Sequence, residues 1–188
     1  MAEVLLFHHA LGLTEGCLAF ADDLRAAGHT VHTPDLFKGE QFSSVDHGVA
    51  HAEEIGFGTI LERGRLAAEA LPAELVYAGF SLGVMPAQML AMTRPGAVAA
   101  VLMHAAVPLD EFGGEWPGGL PLQIHTMEDD EWGDGAVARE LGDVVPDAEV
   151  FLYPGDRHLF TDRGTADHDE SAAALVLARV LDLLERAG

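Results

Sequence analysis

Gly79, Ser81 and Gly83 alternate in the run Gly79-Phe80-Ser81-Leu82-Gly83. The apolar, strand-like stretch Leu75–Phe80 leads into this run, and a helix-like stretch follows it. In that context the pattern reads as a nucleophile elbow, a tight strained turn whose flanking glycines let neighbouring backbone approach. The turn holds the serine hydroxyl above the sheet edge, and the helix behind it directs its N-terminal dipole at any anion formed there. A serine hydroxyl is a poor nucleophile until a base takes its proton. His158 follows the strand-like Ala148–Tyr153 through Tyr153-Pro154-Gly155-Asp156-Arg157, so it belongs to a loop at the same sheet edge. Between them, Pro121–Thr126 ends in Met127-Glu128-Asp129-Asp130. A carboxylate there can orient the imidazole and stabilise its charged form. Asp129 and Asp130 both meet that need. The chemistry these residues could perform is acyl transfer through a covalent serine intermediate.

Other residues fall near the same edge. His8 and His9 end the first strand-like run, followed by Ala10 and Leu11, and His104 and His125 end the fourth and fifth. Each histidine reads either as packing or as part of a pocket wall; His9, Leu11 and His104 are the candidates for the wall. Trp116, in the Pro108–Gly119 loop, and Trp132 read as pocket wall or lid, or as plain loop anchors. Cys17 lacks a Gly-x-Cys-x-Gly setting and reads as a small buried apolar residue. His47 and His51 share a helical face, but without the H-E-x-x-H pattern they do not suggest a metal site.

The elements that must position these residues alternate along the chain. Strands are expected at Val4–His9, Thr30–Thr33, Leu75–Phe80, Val98–His104, Pro121–Thr126 and Ala148–Tyr153. Helices are expected at Thr14–Ala27, about His47–Leu71, Leu82–Thr93, Ala136–Leu141 and Glu170–Arg186, the last capped by Asp167 with Glu170. Several strands are almost continuously apolar, as strands covered on both faces are. Strand–helix alternation points to an α/β fold with a parallel, doubly covered sheet, whose ligands sit beyond the C-terminal strand ends. Pro86 stands just inside the helix after Ser81 and is comfortable only in its first turn, so a distorted helix start is expected.

The 188 residues suit a single domain spanning 1–188. With 31 acidic residues against 10 basic ones, the formal net charge is −21, which repels phosphate backbones and anionic membranes. Nucleic-acid and membrane partners are therefore not expected. No apolar run reaches the ~20 residues of a membrane span, and no signal-peptide pattern opens the chain, so a cytoplasmic location is expected. A homodimer is compatible with the sequence.

Over nearly its whole length the chain resembles the dienelactone hydrolase family of the α/β-hydrolase superfamily. The likeness rests on Val4–Gly12, Pro34-Asp35-Leu36, Gly79–Gly83, His125–Asp130 and, most specifically, Tyr153-Pro-Gly-x-x-His-x-Phe160. It implies a compact α/β-hydrolase fold with a six-stranded, mostly parallel sheet in the order 2-1-3-4-5-6, helices on both faces, and its first two helical crossovers on opposite faces. It also implies Ser81 as nucleophile, His158 as base and Asp130 as the acid, with Asp129 as the fallback. The oxyanion hole would be the backbone N–H groups of Leu82 and Ala10. The implied substrate is a small ester or lactone, with no cofactor and no metal. Three departures stand out: the dienelactone-cleaving relatives carry cysteine where Ser81 stands, glutamate in the region of His9, and a substrate-gripping arginine where Asp162 stands. These departures keep a second reading open, a binding or regulatory protein with a vestigial triad.

Overall fold

The computed structural model describes residues 1–188. Its strands are β1 (Glu3–Phe7), β2 (Thr30–His32), β3 (Leu75–Phe80), β4 (Ala97–Met103), β5 (Leu122–Met127) and β6 (Glu149–Tyr153). The helices are α1 (Glu15–Ala26), α2 (Val45–Ile55), α3 (Phe57–Glu69), α4 (Val84–Thr93), α5 (Gly135–Val144) and α6 (Glu170–Ala187). All strand pairs are parallel, and the sheet order is β2-β1-β3-β4-β5-β6. This is the order expected from the sequence.

Successive side chains along a strand point to opposite faces, and the two cores follow that alternation. Leu5, Phe7, Leu75 and Tyr77 pack in one core, with Ile60 and Ala68 of α3, Leu90 of α4 and Leu141 of α5. Val4, Leu6, Val76 and Ala78 pack in the other, with Phe20 and Leu24 of α1 and Val176, Val180 and Leu184 of α6. The first crossover, through α1, and the second, through α2 and α3, therefore lie on opposite faces. Every residue of β3 is buried, which explains its continuous apolar run.

Two local expectations are corrected. The single helix expected over His47–Leu71 is two helices, broken at Gly56, whose φ of 84° is outside the helical region. The cap of α6 is Asp169, not Asp167; its carboxylate accepts from the Ala172 N–H at 3.0 Å. Asp167 instead approaches the Leu159 N–H at 3.5 Å. Near Pro86, a one-turn 3-10 helix over Ser81–Gly83 precedes α4, and the proline occupies α4's first turn. No helix is long and apolar enough to cross a membrane.

Candidate active site

The site stands beyond the C-terminal ends of β1, β3, β4, β5 and β6. Ser81 follows β3 directly and takes φ 47°, a left-handed conformation that costs a non-glycine residue on the order of 1 kcal/mol. The turn is held from both sides. A Cβ on Gly83 would come within 2.5 Å of the Phe7 carbonyl oxygen and 2.6 Å of that of His8, so only glycine lets the elbow seat against the end of β1. A Cβ on Gly79 would collide with the Gly83 carbonyl oxygen. The two motif glycines are thus spacing devices that press the serine turn against its neighbours.

Adjacent strands lie about 4.8 Å apart, so β3 and β6 are roughly 14 Å apart across β4 and β5. The loop after β6 closes that gap by running back over the sheet edge. It is pinned there by Glu128 N–H to the Tyr153 carbonyl (2.9 Å) and Asp129 N–H to the Gly155 carbonyl (3.0 Å). His158 is thereby set above the end of β4, its ring 6.1 Å from that of His104. Its Nε2 is 2.7 Å from Ser81 Oγ, and its Nδ1 is 2.8 Å from Asp130 Oδ2. The other Asp130 oxygen accepts from the Trp132 N–H at 2.9 Å. Asp130 and His158 are buried, whereas Asp129 is exposed. Of the two candidate acids, Asp130 is the one beside His158.

A cavity of about 570 Å³ opens at Ser81. Ala10 and Leu82 line it beside the serine. Leu82 is in the first turn of a helical segment, where N–H groups have no intrahelical partner. The Ala10 N–H makes no hydrogen bond within the protein. The Ala10 loop is fixed from behind by Gly48 of α2, where any Cβ would strike the Ala10 carbonyl.

The expected wall residues divide. Trp132 lines this cavity. Trp116 does not; it packs on the core and donates its indole N–H to the Leu120 carbonyl at 2.8 Å, so it is a loop anchor. Leu11 faces a neighbouring cavity instead. His104 is fully buried beneath His158 between Phe80 and Phe160, with Nε2 2.7 Å from Thr161 Oγ1, and cannot touch a ligand. His125 is a core residue bonded to the Tyr153 hydroxyl (3.0 Å) and to Gln123 Oε1 (3.1 Å).

His9 is also buried, turned away from the cavity. Its Nε2 is 2.7 Å from Asp162 Oδ2. Burial alone favours the neutral ring, but the Cys17 sulfur and the Asp162 carboxylate outweigh it and raise the His9 pKa to about 9. A proton on Nδ1 displaces only the long 3.3 Å approach of the Leu11 N–H, a small loss against a buried carboxylate. Burial acts to raise the Asp162 pKa, but hydrogen bonds from His9 and Thr14 prevail and lower it. Two of the three positions that the resemblance marked as departures, His9 and Asp162, are therefore partners. Sequence reasoning named both without pairing them, and it missed Thr14, Thr161 and Gly133. A Cβ on Gly133 would come within 2.6 Å of Asp130 Oδ2, so that glycine makes room for the carboxylate.

Among solved structures, the chain is similar to a dienelactone hydrolase-like promiscuous phosphotriesterase from metagenomic libraries. The TM-score is 0.77 at 19% identity, covering 100% of this chain and 87% of that one. It is also similar to a dienelactone hydrolase from Anabaena variabilis ATCC 29413, with TM-score 0.68 at 16% identity, covering 100% and 87%. Among curated proteins, a pimeloyl-[acyl-carrier protein] methyl ester esterase of Cronobacter sakazakii (strain ATCC BAA-894) is 32% identical over 117 residues. That match takes in 62% of this chain and only 41% of the esterase. The model of the dienelactone hydrolase family matches residues 1–188, and the chain belongs to that family.

Proposed function

We propose that the chain is a serine hydrolase that cleaves small esters or lactones through Ser81, His158 and Asp130. The observation that carries this reading is the continuous hydrogen-bonded line from Ser81 Oγ through His158 to Asp130, with steps of 2.7 and 2.8 Å, at the mouth of a cavity. Ser81 Oγ attacks the carbonyl carbon while His158 Nε2 takes its proton. Asp130 holds the Nδ1–H tautomer and stabilises the imidazolium. The N–H groups of Leu82 and Ala10 donate to the tetrahedral oxyanion. His158 then protonates the leaving alcohol, giving an acyl-serine. A water deprotonated by His158 attacks the acyl carbon and releases the acid. The chain itself supplies every group these steps use, and the mechanism calls on no cofactor. Family membership and the ester substrate in the esterase relative's name support the same bond type.

The test is labelling with a fluorophosphonate probe followed by peptide mass spectrometry. The expected adduct is on Ser81 and disappears in Ser81→Ala and His158→Ala. No adduct on folded protein would move the balance to the binding-protein reading.

A further inference from the structure

From the charge of the Ser81 cavity we infer that it selects esters with an uncharged, apolar acyl group and rejects esters carrying a carboxylate. This rests on the hydrolase reading above and names its substrate class. Most of the cavity's lining is apolar, with Phe57, Leu61, Met85, Val107, Phe112 and Trp132 as its large contributors. Its volume of about 570 Å³ is in the range that encloses small ligands. The only charged side chains lining it are Glu111 and Asp134. They come from different loops, Glu111 after β4 and Asp134 after β5.

Neither acid is neutralised. No ion pair in the protein includes either one. Asp134 begins α5 in a left-handed conformation, φ 47°, and its carboxylate makes no capping bond. The nearest guanidinium in sequence, that of Arg139, is spent on the Gly135 carbonyl. Burial and the neighbouring Asp130 carboxylate raise the Asp134 pKa, while His158 lowers it, so this group lies within electrostatic reach of the candidate triad. A substrate carboxylate entering the cavity would meet two like charges and no cationic side chain. It would lose hydration with no cation to compensate. An apolar acyl chain meets neither cost and gains from leaving water. Asp162 is turned toward His9 and takes no part in the cavity wall.

The experiment compares kcat/KM for p-nitrophenyl butyrate and p-nitrophenyl hemisuccinate, acyl groups of equal chain length, at pH 8 and low salt. The neutral ester is expected to be faster by at least ~10-fold, a gap that narrows at 0.5 M NaCl. The double variant Glu111→Gln/Asp134→Asn should shrink the gap at least threefold. A control, Glu74→Gln/Glu185→Gln, removes the same charge from the far end of the sheet and should leave the gap in place. Equal rates for the two esters overturn the inference while the hydrolase reading stands. A gap that shrinks equally in both double variants also overturns it, because the overall charge and not the cavity would then be selecting. Turnover of neither ester, with no labelling of Ser81, overturns the hydrolase reading itself.

Discussion

His9 and Asp162 are 153 residues apart in sequence and 2.7 Å apart in space. His9 is joined directly to Ala10, which lines the cavity, and Asp162 follows His158 by four residues. The carboxylate also accepts from Thr14 Oγ1 at 2.7 Å and from the Gly164 N–H at 2.6 Å. This buried pair therefore ties the proposed oxyanion loop to the loop of the proposed base. Asp162→Ala leaves the His9 ring, the Thr14 hydroxyl and the Gly164 N–H without their buried acceptor and should cost about 3–5 kcal/mol in urea unfolding. Asp162→Asn keeps the shape and should cost less. A double-mutant cycle with His9→Leu should give a coupling above ~1 kcal/mol. Additive losses would show that the pair does not join the two loops.

Asp130 and Asp129 are adjacent in sequence but differ in burial and partners. Asp130→Asn should lower kcat by roughly 10³–10⁴, because an amide cannot hold the same His158 tautomer or stabilise the imidazolium. Asp129→Asn, at an exposed carboxylate, should change kcat less than about threefold. Steady-state kinetics on a neutral ester separate the two. Comparable losses in both variants would remove Asp130 from the proposed mechanism.

The fold was largely legible because its signals are local. The apolar runs at Leu75–Phe80 and Val98–His104 announce buried strands, observed at Leu75–Phe80 and Ala97–Met103, and the Gly79–Gly83 elbow marks where a strand must turn into a helix. The order Ser81, Asp130, His158 also lies on the page. The cavity wall was less legible, for physical reasons. His104 and Trp132 both follow strand ends, yet one is covered by the returning His158 loop and the other faces the cavity. That distinction depends on how a loop crosses the sheet edge, which no periodicity encodes. The pairing of His9 with Asp162 is likewise a tertiary event, visible in sequence only as two separate departures from a family pattern.

Stability should fall on both sides of pH 6.5. Burial lowers the pKa of His8 to about 4 and of His125 to about 3, and lowers that of His104 as well. His8 is built to be neutral: Nδ1 lies 2.8 Å from the His9 carbonyl and donates to it, while Nε2 accepts from the Leu36 N–H at 2.9 Å. These rings bind protons more readily unfolded, so their contribution is full above pH 6.5 and is lost as pH falls toward 4. His9 has the opposite sign. Its raised pKa makes its contribution full below 6.5 and lost as pH rises through about 9. Melting temperatures at pH 5, 7 and 9.5 should peak at the middle value. His125→Gln keeps an amide for Tyr153 and Gln123 and should reduce the acid-side fall. An unchanged acid-side slope would exclude His125 as a source of it.

Ser81 keeps a left-handed backbone, φ 47°, that glycine adopts without strain. Alanine retains the Cβ and the strain, whereas glycine sheds both. Ser81→Gly should therefore be more stable than Ser81→Ala by roughly 1 kcal/mol, although both lose the hydroxyl and should be equally inactive toward esters. Part of glycine's gain is offset by the greater freedom of its unfolded chain. Ser81→Ala controls for the lost hydrogen bond to His158, since both variants lose it. Chemical denaturation of the two proteins side by side isolates the backbone term. A Ser81→Gly protein less stable than Ser81→Ala would show that the elbow stores no strain at the serine.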